Sequence, residues 1–163
     1  MSHTTWMLYG ATGATGTLIA EEAIRRGHQP VLAGRSAKTL ASLGKRLGLP
    51  WIAVGLDEPG QLEQVVSEVD AVLNAAGPFI ATAPPLVQAC LAAGTHYLDI
   101  AGEIPVLQHL FGRDQAARER NIALAKKPLF QVPVCSSVAY KPETLQLLLA
   151  RQLAFCRLLT SYR

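Results

Sequence analysis

Apolar residues along this chain come in short runs, each stopped by a glycine or a polar turn. Between the runs lie stretches in which apolar positions recur every three or four residues. The first run, Trp6-Met-Leu-Tyr9, ends at Gly10 and predicts a buried strand. Residues 14–26 follow, with Leu18, Ile19, Ala23 and Ile24 on one side and Glu21, Glu22, Arg25 and Arg26 largely on the other. That pattern predicts an amphipathic helix whose acids precede its arginines, as the helix dipole favours. Gly27 suits the position just past its end. The same alternation predicts strands at 30–33, 51–54, 71–73 and 96–98, and helices at 37–47, 59–66, 84–93 and 105–120. Gly48 and Pro50 stop the second helix, and Pro59 opens the third. Pro84 and Pro85 open the fourth, Gly94 ends it, and Gly112 is where the fifth would break. Residues 122–125 begin a sixth strand. Uniformly apolar strands joined by amphipathic crossovers and short loops imply an α/β fold, with a parallel sheet covered on both faces.

Composition adds a boundary to this picture. Half of the 163 residues are apolar and only 17% are charged, enough for one domain with a packed core. Aromatics make up 6%, a thin supply for a surface that stacks nucleic-acid bases, so no nucleic-acid partner is expected. The charge is uneven. Residues 1–125 carry 9 Lys/Arg against 11 Asp/Glu, whereas residues 126–163 carry 6 against 1, and no glycine lies beyond Gly112. The chain therefore reads as a domain over 1–125 followed by an atypical basic tail over 126–163. Within the tail, a leucine-rich helix is expected at 145–159. Cys90, Cys135 and Cys156 form no paired framework and no C-x-x-C metal motif. Together with the lack of a basic, apolar leader and of a run long enough to span a bilayer, this points to a reducing, cytoplasmic setting without structural metal.

The candidate chemistry lies at the strand ends. Gly10-Ala-Thr12-Gly13-Ala14-Thr15-Gly16 sits between the first strand and the first helix. Gly10 would allow a tight turn, Gly13 would keep a side chain away from an anion at the helix start, and Gly16 would let helix and sheet lie close. That context is the phosphate-binding turn of a Rossmann-type doubly wound sheet, in a G-x-x-G-x-x-G variant, with the pyrophosphate of a dinucleotide on the free N–H groups. Thr12 and Thr15 could add hydroxyl contacts. At the end of the second strand, Arg35 and Ser36 stand where the adenosine ribose would come, with Lys38 nearby and no acid from Arg26 to Gly55. A guanidinium there suits the 2′-phosphate of NADP, and an acid would suit the 2′-hydroxyl of NAD, so NADP is favoured over NAD. Asp57, after the third strand, either accepts from the adenine amine or caps the helix near Pro59. Asn74-Ala75-Ala-Gly77-Pro78 follows the fourth strand, with small residues that let a ligand approach and a proline that stiffens the turn.

The fifth strand ends in Asp99, followed by Gly102 and Glu103, at the edge where open α/β sheets collect ligands. Both acids have plainer alternatives: a turn for Asp99 and first-turn helix charge for Glu103. Cys90 reads as buried filler. No Ser-His-Asp elbow is present. The Tyr-x-x-x-Lys pair of short-chain dehydrogenases is also missing, because Ala101 follows Tyr97 at that spacing and Thr144 follows Tyr140. Catalytic residues are left unassigned.

The blocks Y-G-A-T-G-A-T-G, L-A-G-R-S, A-V-L-N-A-A-G-P-F and A-P-P-L-V-Q-A-C-L-A-A-G-T-H-Y-L-D-I-A-G-E occur in order. From Trp6 to about Ala125 the chain resembles the N-terminal NAD(P)-binding domain of saccharopine dehydrogenase-like oxidoreductases, in the branch of trans-acting enoyl reductases. The resemblance implies that Gly10, Gly13 and Gly16 meet the pyrophosphate and Arg35 the 2′-phosphate. It also implies that Asn74, Gly77 and Pro78 line the dinucleotide, with 97–103 near the nicotinamide side. Relatives continue into a substrate domain, and here the family pattern stops near Ala125. A chain truncated there, with its substrate domain missing, is therefore expected. Three functions stay open: the NADP(H)-binding module of a hydride-transferring oxidoreductase, a non-catalytic NADP(H)-binding regulator, or a non-functional remnant. A partner supplying the missing domain would favour the first, and a homodimer dependent on the last helix would favour the second.

Overall fold

The computed structural model describes residues 5–126, which fall within one compact unit. The tail beyond Lys126, including the helix expected at 145–159, lies outside the described residues. Six strands and six helices alternate: β1 (Trp6–Tyr9), α1 (Ala14–Arg25), β2 (Val31–Gly34), α2 (Ala37–Leu47), β3 (Trp51–Ala53), α3 (Pro59–Ser67), β4 (Ala71–Asn74), α4 (Phe79–Ala93), β5 (His96–Asp99), α5 (Ile104–Phe111), α6 (Asp114–Glu119) and β6 (Leu124–Lys126). The sheet order is β3-β2-β1-β4-β5-β6 with every pairing parallel, the Rossmann arrangement with its switch point between β1 and β4. β1 therefore pairs with β2 through Leu8↔Leu32 and with β4 through Leu8↔Leu73.

Alternation along the strands feeds both faces. Met7 and Tyr9 join Val72, Tyr97, Leu62, Val66, Leu86, Val87, Val106 and Leu110 in one core, the face on which α3, α4 and α5 pack. Leu8 and Leu32 point the other way, where Ile19, Ala20 and Ala23 of α1 and Leu40 and Leu43 of α2 are buried.

Three expectations need correction. α4 starts at Phe79, five residues before the expected opening, and holds Pro84 and Pro85 inside it. Each proline removes a helical N–H, but the carbonyls so released belong to Ile80 and Ala81, both at solvent-exposed positions where an unpaired carbonyl costs little. The buried stripe of α1 is Gly16, Ile19, Ala20 and Ala23, while Leu18 and Ile24 are exposed. Close approach to the sheet selects the smallest side chains over the most apolar ones. The sixth strand begins at Leu124 rather than Ile122, because the Ala123 N–H donates to His96 Nδ1 (2.9 Å).

Helix ends follow local chemistry. Gly48 and Gly94 close α2 and α4 in the left-handed region, and Gly27 follows α1 with φ of 77°. The break at Gly112 separates α5 from α6. Arg120 donates to the carbonyls of Leu91 and Ala92 in the last turn of α4, a C-terminal cap in which charge and dipole agree.

Candidate functional site

The carboxyl ends of β1, β2, β3, β4 and β5 bring the sequence-predicted residues to one edge of the sheet. Gly10 leaves β1 with φ of 82°, and its N–H donates to the Ala33 carbonyl at 2.9 Å. A Cβ on Gly10 would lie 2.7 Å from the Ala76 nitrogen, so the β1–α1 and β4–α4 turns touch at the switch point. The Ala75 N–H donates to the Tyr9 carbonyl (2.8 Å) and fixes that contact. Gly16 is buried, and a Cβ there would stand 2.1 Å from the Gly10 carbonyl oxygen. Glycine at 16 is thus what allows α1 to start against its own turn.

The start of α1 is open. Thr12, Gly13, Ala14 and Thr15 are exposed, Gly13 is the N-cap residue without a side-chain cap, and the first turn carries no acid. The N–H groups of Ala14, Thr15 and Gly16 have no acceptor among the described residues. Uncapped amides and an unopposed helix dipole fit an anion such as a pyrophosphate. The next helix along the chain, α2, differs. α2 is capped by Ser36, whose Oγ accepts from the Thr39 N–H at 3.4 Å and keeps its own hydrogen free to donate.

The second group lies across β2 and β3. Arg35 is exposed directly after β2, and Asp57 is exposed after β3. Beneath them, the Tyr9 hydroxyl donates to the Val54 carbonyl (3.1 Å). Burial pushes the Tyr9 phenol up from its ordinary value, the Arg35 charge draws it down, and the Asp57 charge pushes it up. Both charges therefore act on the floor of the same corner. Asp57 does not cap α3, whose N-cap residue is Glu58 and has no side-chain cap.

The third group closes β4 and β5. Asn74 is fully buried and fully engaged: its amide donates to Thr82 Oγ1 and to the Tyr97 hydroxyl (both 3.1 Å), and its Oδ1 accepts from the Ala76 N–H (3.0 Å). Tyr97, also fully buried, donates to Asp99 Oδ2 at 3.0 Å, and Asp99 Oδ1 accepts from the Ala101 N–H at 3.0 Å. Burial and the Asp99 charge both push the Tyr97 phenol far up, so it stays protonated and keeps donating. One hydroxyl thus ties together the two turns that leave β4 and β5. Ala75 is partly exposed, Gly77 and Pro78 are exposed, and the Gly77–Pro78 peptide is cis. A Cβ on Gly77 would meet nothing within 4 Å, so this turn presents open space rather than a wall. Thr82 is not among the residues the sequence offers for the site, and Tyr97 enters only through the block 97–103 rather than for its own hydroxyl. The period of two that puts Tyr97 and Asp99 on one face of β5 was the available signal.

Cys90 is buried with its thiol pushed up to about 12, which fits packing and not nucleophilic chemistry. Among the described residues, no group of His, Cys, Asp or Glu is arranged to hold a metal, and no helix is long and apolar enough to cross a membrane.

Comparison with known proteins adds to this geometry. The family model of the saccharopine dehydrogenase NADP binding domain matches residues 6–132. A trans-acting enoyl reductase of Mycobacterium tuberculosis (strain ATCC 25618 / H37Rv) is 38% identical over 105 residues, covering 60% of this chain and 25% of that protein. One from Mycobacterium ulcerans (strain Agy99) is 34% identical over 105 residues with the same coverage. The chain thus spans a quarter of the length of these curated relatives. Among solved structures it is similar in fold to apo saccharopine dehydrogenase (L-Glu forming) from Saccharomyces cerevisiae. The TM-score is 0.65 at 17% identity, over 76% of this chain and 26% of that one.

Proposed function

The chain belongs to the saccharopine dehydrogenase NADP-binding domain family, and we propose that it works as the NADP(H)-holding module of an oxidoreductase of that family. NADP is the family's cofactor. The observation that carries the reading is the open start of α1 at the β1–β4 switch point, with Arg35 one strand away. In this reading the amides of Ala14, Thr15 and Gly16 hold the pyrophosphate, while Gly10 and Gly13 keep the approach clear. Thr12 and Thr15 lend hydroxyls. Arg35 binds the 2′-phosphate in a charge-assisted, bidentate fashion, and Ser36 donates to it. Asp57 accepts from the adenine amine. Ala75, Gly77 and Pro78 border the far half of the dinucleotide. Asn74 serves from below, by holding the turn.

When bound, NADPH supplies a hydride, and the protein binds and orients it. Several features support leaving proton transfer to another part of the assembly. The Tyr97 hydroxyl is buried and committed, Cys90 is inert, and among the described residues no exposed Tyr–Lys pair stands at the edge. A further domain or a partner chain would then present the substrate, an unsaturated carbonyl-type compound if the trans-acting enoyl reductases are the guide. A homodimer would instead belong to the regulatory reading. We place the module in the cytoplasm, with the unpaired Cys90 in keeping with a reducing setting. A cofactor-binding regulator without catalysis stays the second reading, supported by the committed Tyr97 hydroxyl and the inert Cys90.

The test is Arg35→Asp. NADPH affinity should fall at least about tenfold, 1.4 kcal/mol, while NADH affinity stays within a few fold. Equal losses for both cofactors would remove the 2′-phosphate assignment.

A further inference from the structure

Glu103 does something that its position in the sequence hides. It is the N-cap residue of α5, and its backbone carbonyl accepts from the Leu107 N–H (3.2 Å). Its side chain, however, turns away from α5 to the start of α4. One carboxylate oxygen accepts from the Phe79 N–H at 3.2 Å and the other from the Ile80 N–H at 3.0 Å. α4 has no cap of its own, since its N-cap residue is Pro78. A residue 24 positions downstream therefore supplies the cap, and one side chain fastens the starts of two helices.

The place of this clamp gives it meaning. A dinucleotide lies across the switch point of a doubly wound sheet. Arg35 and Asp57 mark the β2–β3 side as its adenosine end, so its other end falls over the turns after β4 and β5. Those two turns are tied twice. Below, Asn74, Tyr97 and Asp99 join them through buried hydrogen bonds. Above, at the partly exposed rim, Glu103 joins them through the α4 amides. The clamp also fills the anion-seeking start of α4, which leaves the phosphates to α1.

We propose that Glu103 is a positioning residue for the nicotinamide half of the cofactor: by capping α4 from the β5–α5 turn it fixes the Gly77–Pro78 border on which that half rests. The proposal depends on the NADP(H) reading above. Because both oxygens of the carboxylate are held by backbone amides, the role is orientation and not proton transfer.

The experiment compares two probes on the full 163-residue chain. NADPH engages both ends of the site, whereas adenosine 2′,5′-bisphosphate carries the adenosine and 2′-phosphate without the nicotinamide half. Glu103→Ala should weaken NADPH by about tenfold or more, as expected from losing two charge-assisted bonds that order the turn. Binding of adenosine 2′,5′-bisphosphate should stay within about twofold. Glu103→Gln, which keeps one acceptor oxygen, should fall between wild type and Glu103→Ala for NADPH, and it serves as the variant if Glu103→Ala does not fold. Equal weakening of both probes would mean general support of the fold and would overturn the proposal. So would unchanged NADPH binding, or tighter binding from removal of a repelling charge. Failure is separable: if wild type binds neither probe, the cofactor reading itself falls, whereas wild-type binding of both with no selective loss in the variants removes only the role of Glu103.

Discussion

Replacing Gly16 by alanine couples fold and site through one carbon atom. The new Cβ would stand 2.1 Å from the Gly10 carbonyl oxygen and 2.9 Å from Ala11 Cα, both backbone atoms that cannot rotate away. The first distance falls 1.3 Å short of an ordinary 3.4 Å contact, so the start of α1 must retreat by that order. Overpacking of this kind costs about 1–3 kcal/mol. In a domain of this size, that lowers Tm by roughly 4–15 °C. The same retreat carries the amides of Ala14 and Thr15 away from the anion they would hold. A hydrogen bond stretched by about 1 Å is effectively lost, and NADPH affinity should drop at least about tenfold. Gly13 provides the contrast. Its Cβ would lie 3.3 Å from the same oxygen, at an exposed position, so Gly13→Ala should leave the melting temperature nearly unchanged while still crowding the anion. Thermal melts followed by circular dichroism, with parallel NADPH titrations followed by cofactor fluorescence, measure both quantities. A Gly16→Ala chain that melts and binds like wild type would show that the α1 start does not depend on glycine there.

Two further outcomes follow from the buried polar groups. Tyr97→Phe removes the donor to Asp99 and an acceptor from Asn74 in a site without exposed surface, and should cost about 1–3 kcal/mol in denaturant unfolding; unchanged stability would show that the β4 and β5 turns are not coupled there. Burial holds His96 below its ordinary 6.5. As the folded value lies below the unfolded one, its contribution is complete above pH 6.5 and is lost as pH falls through the folded value, because the unfolded chain takes up the proton first. Stability should therefore decline as pH falls below about 6.5, and less so in His96→Asn, which keeps an acceptor for the Ala123 N–H. An identical slope in the variant would take His96 out of the explanation.

Local pattern carried most of the fold. Each βα unit announces itself by a short apolar run, a turn residue and an amphipathic period, and right-handed crossovers then leave few ways to order the strands. The glycine turn was legible for the same reason, since φ of 82° at Gly10 and the tight seat of Gly16 are demands that only glycine meets. What stayed hidden depends on distant partners. Pro84 and Pro85 look like the start of a helix, and only the Glu103 carboxylate, 24 residues on, explains why α4 begins at Phe79. Leu18 and Ile24 look like core, and only the close seat of α1 on the sheet explains why Gly16 and Ala20 are buried instead. Asn74 looked like a residue facing ligand, and its hydrogen bonds to Thr82 and Tyr97 become visible only when β4 and β5 are side by side.

In the proposed reading this chain holds NADP(H) at the β1–β4 switch point and recognises its 2′-phosphate. Equilibrium titration of the folded 163-residue chain with NADPH and with NADH tests it most directly. NADPH should bind saturably and about tenfold more tightly than NADH. Folded protein that binds neither cofactor, or both equally, would contradict it.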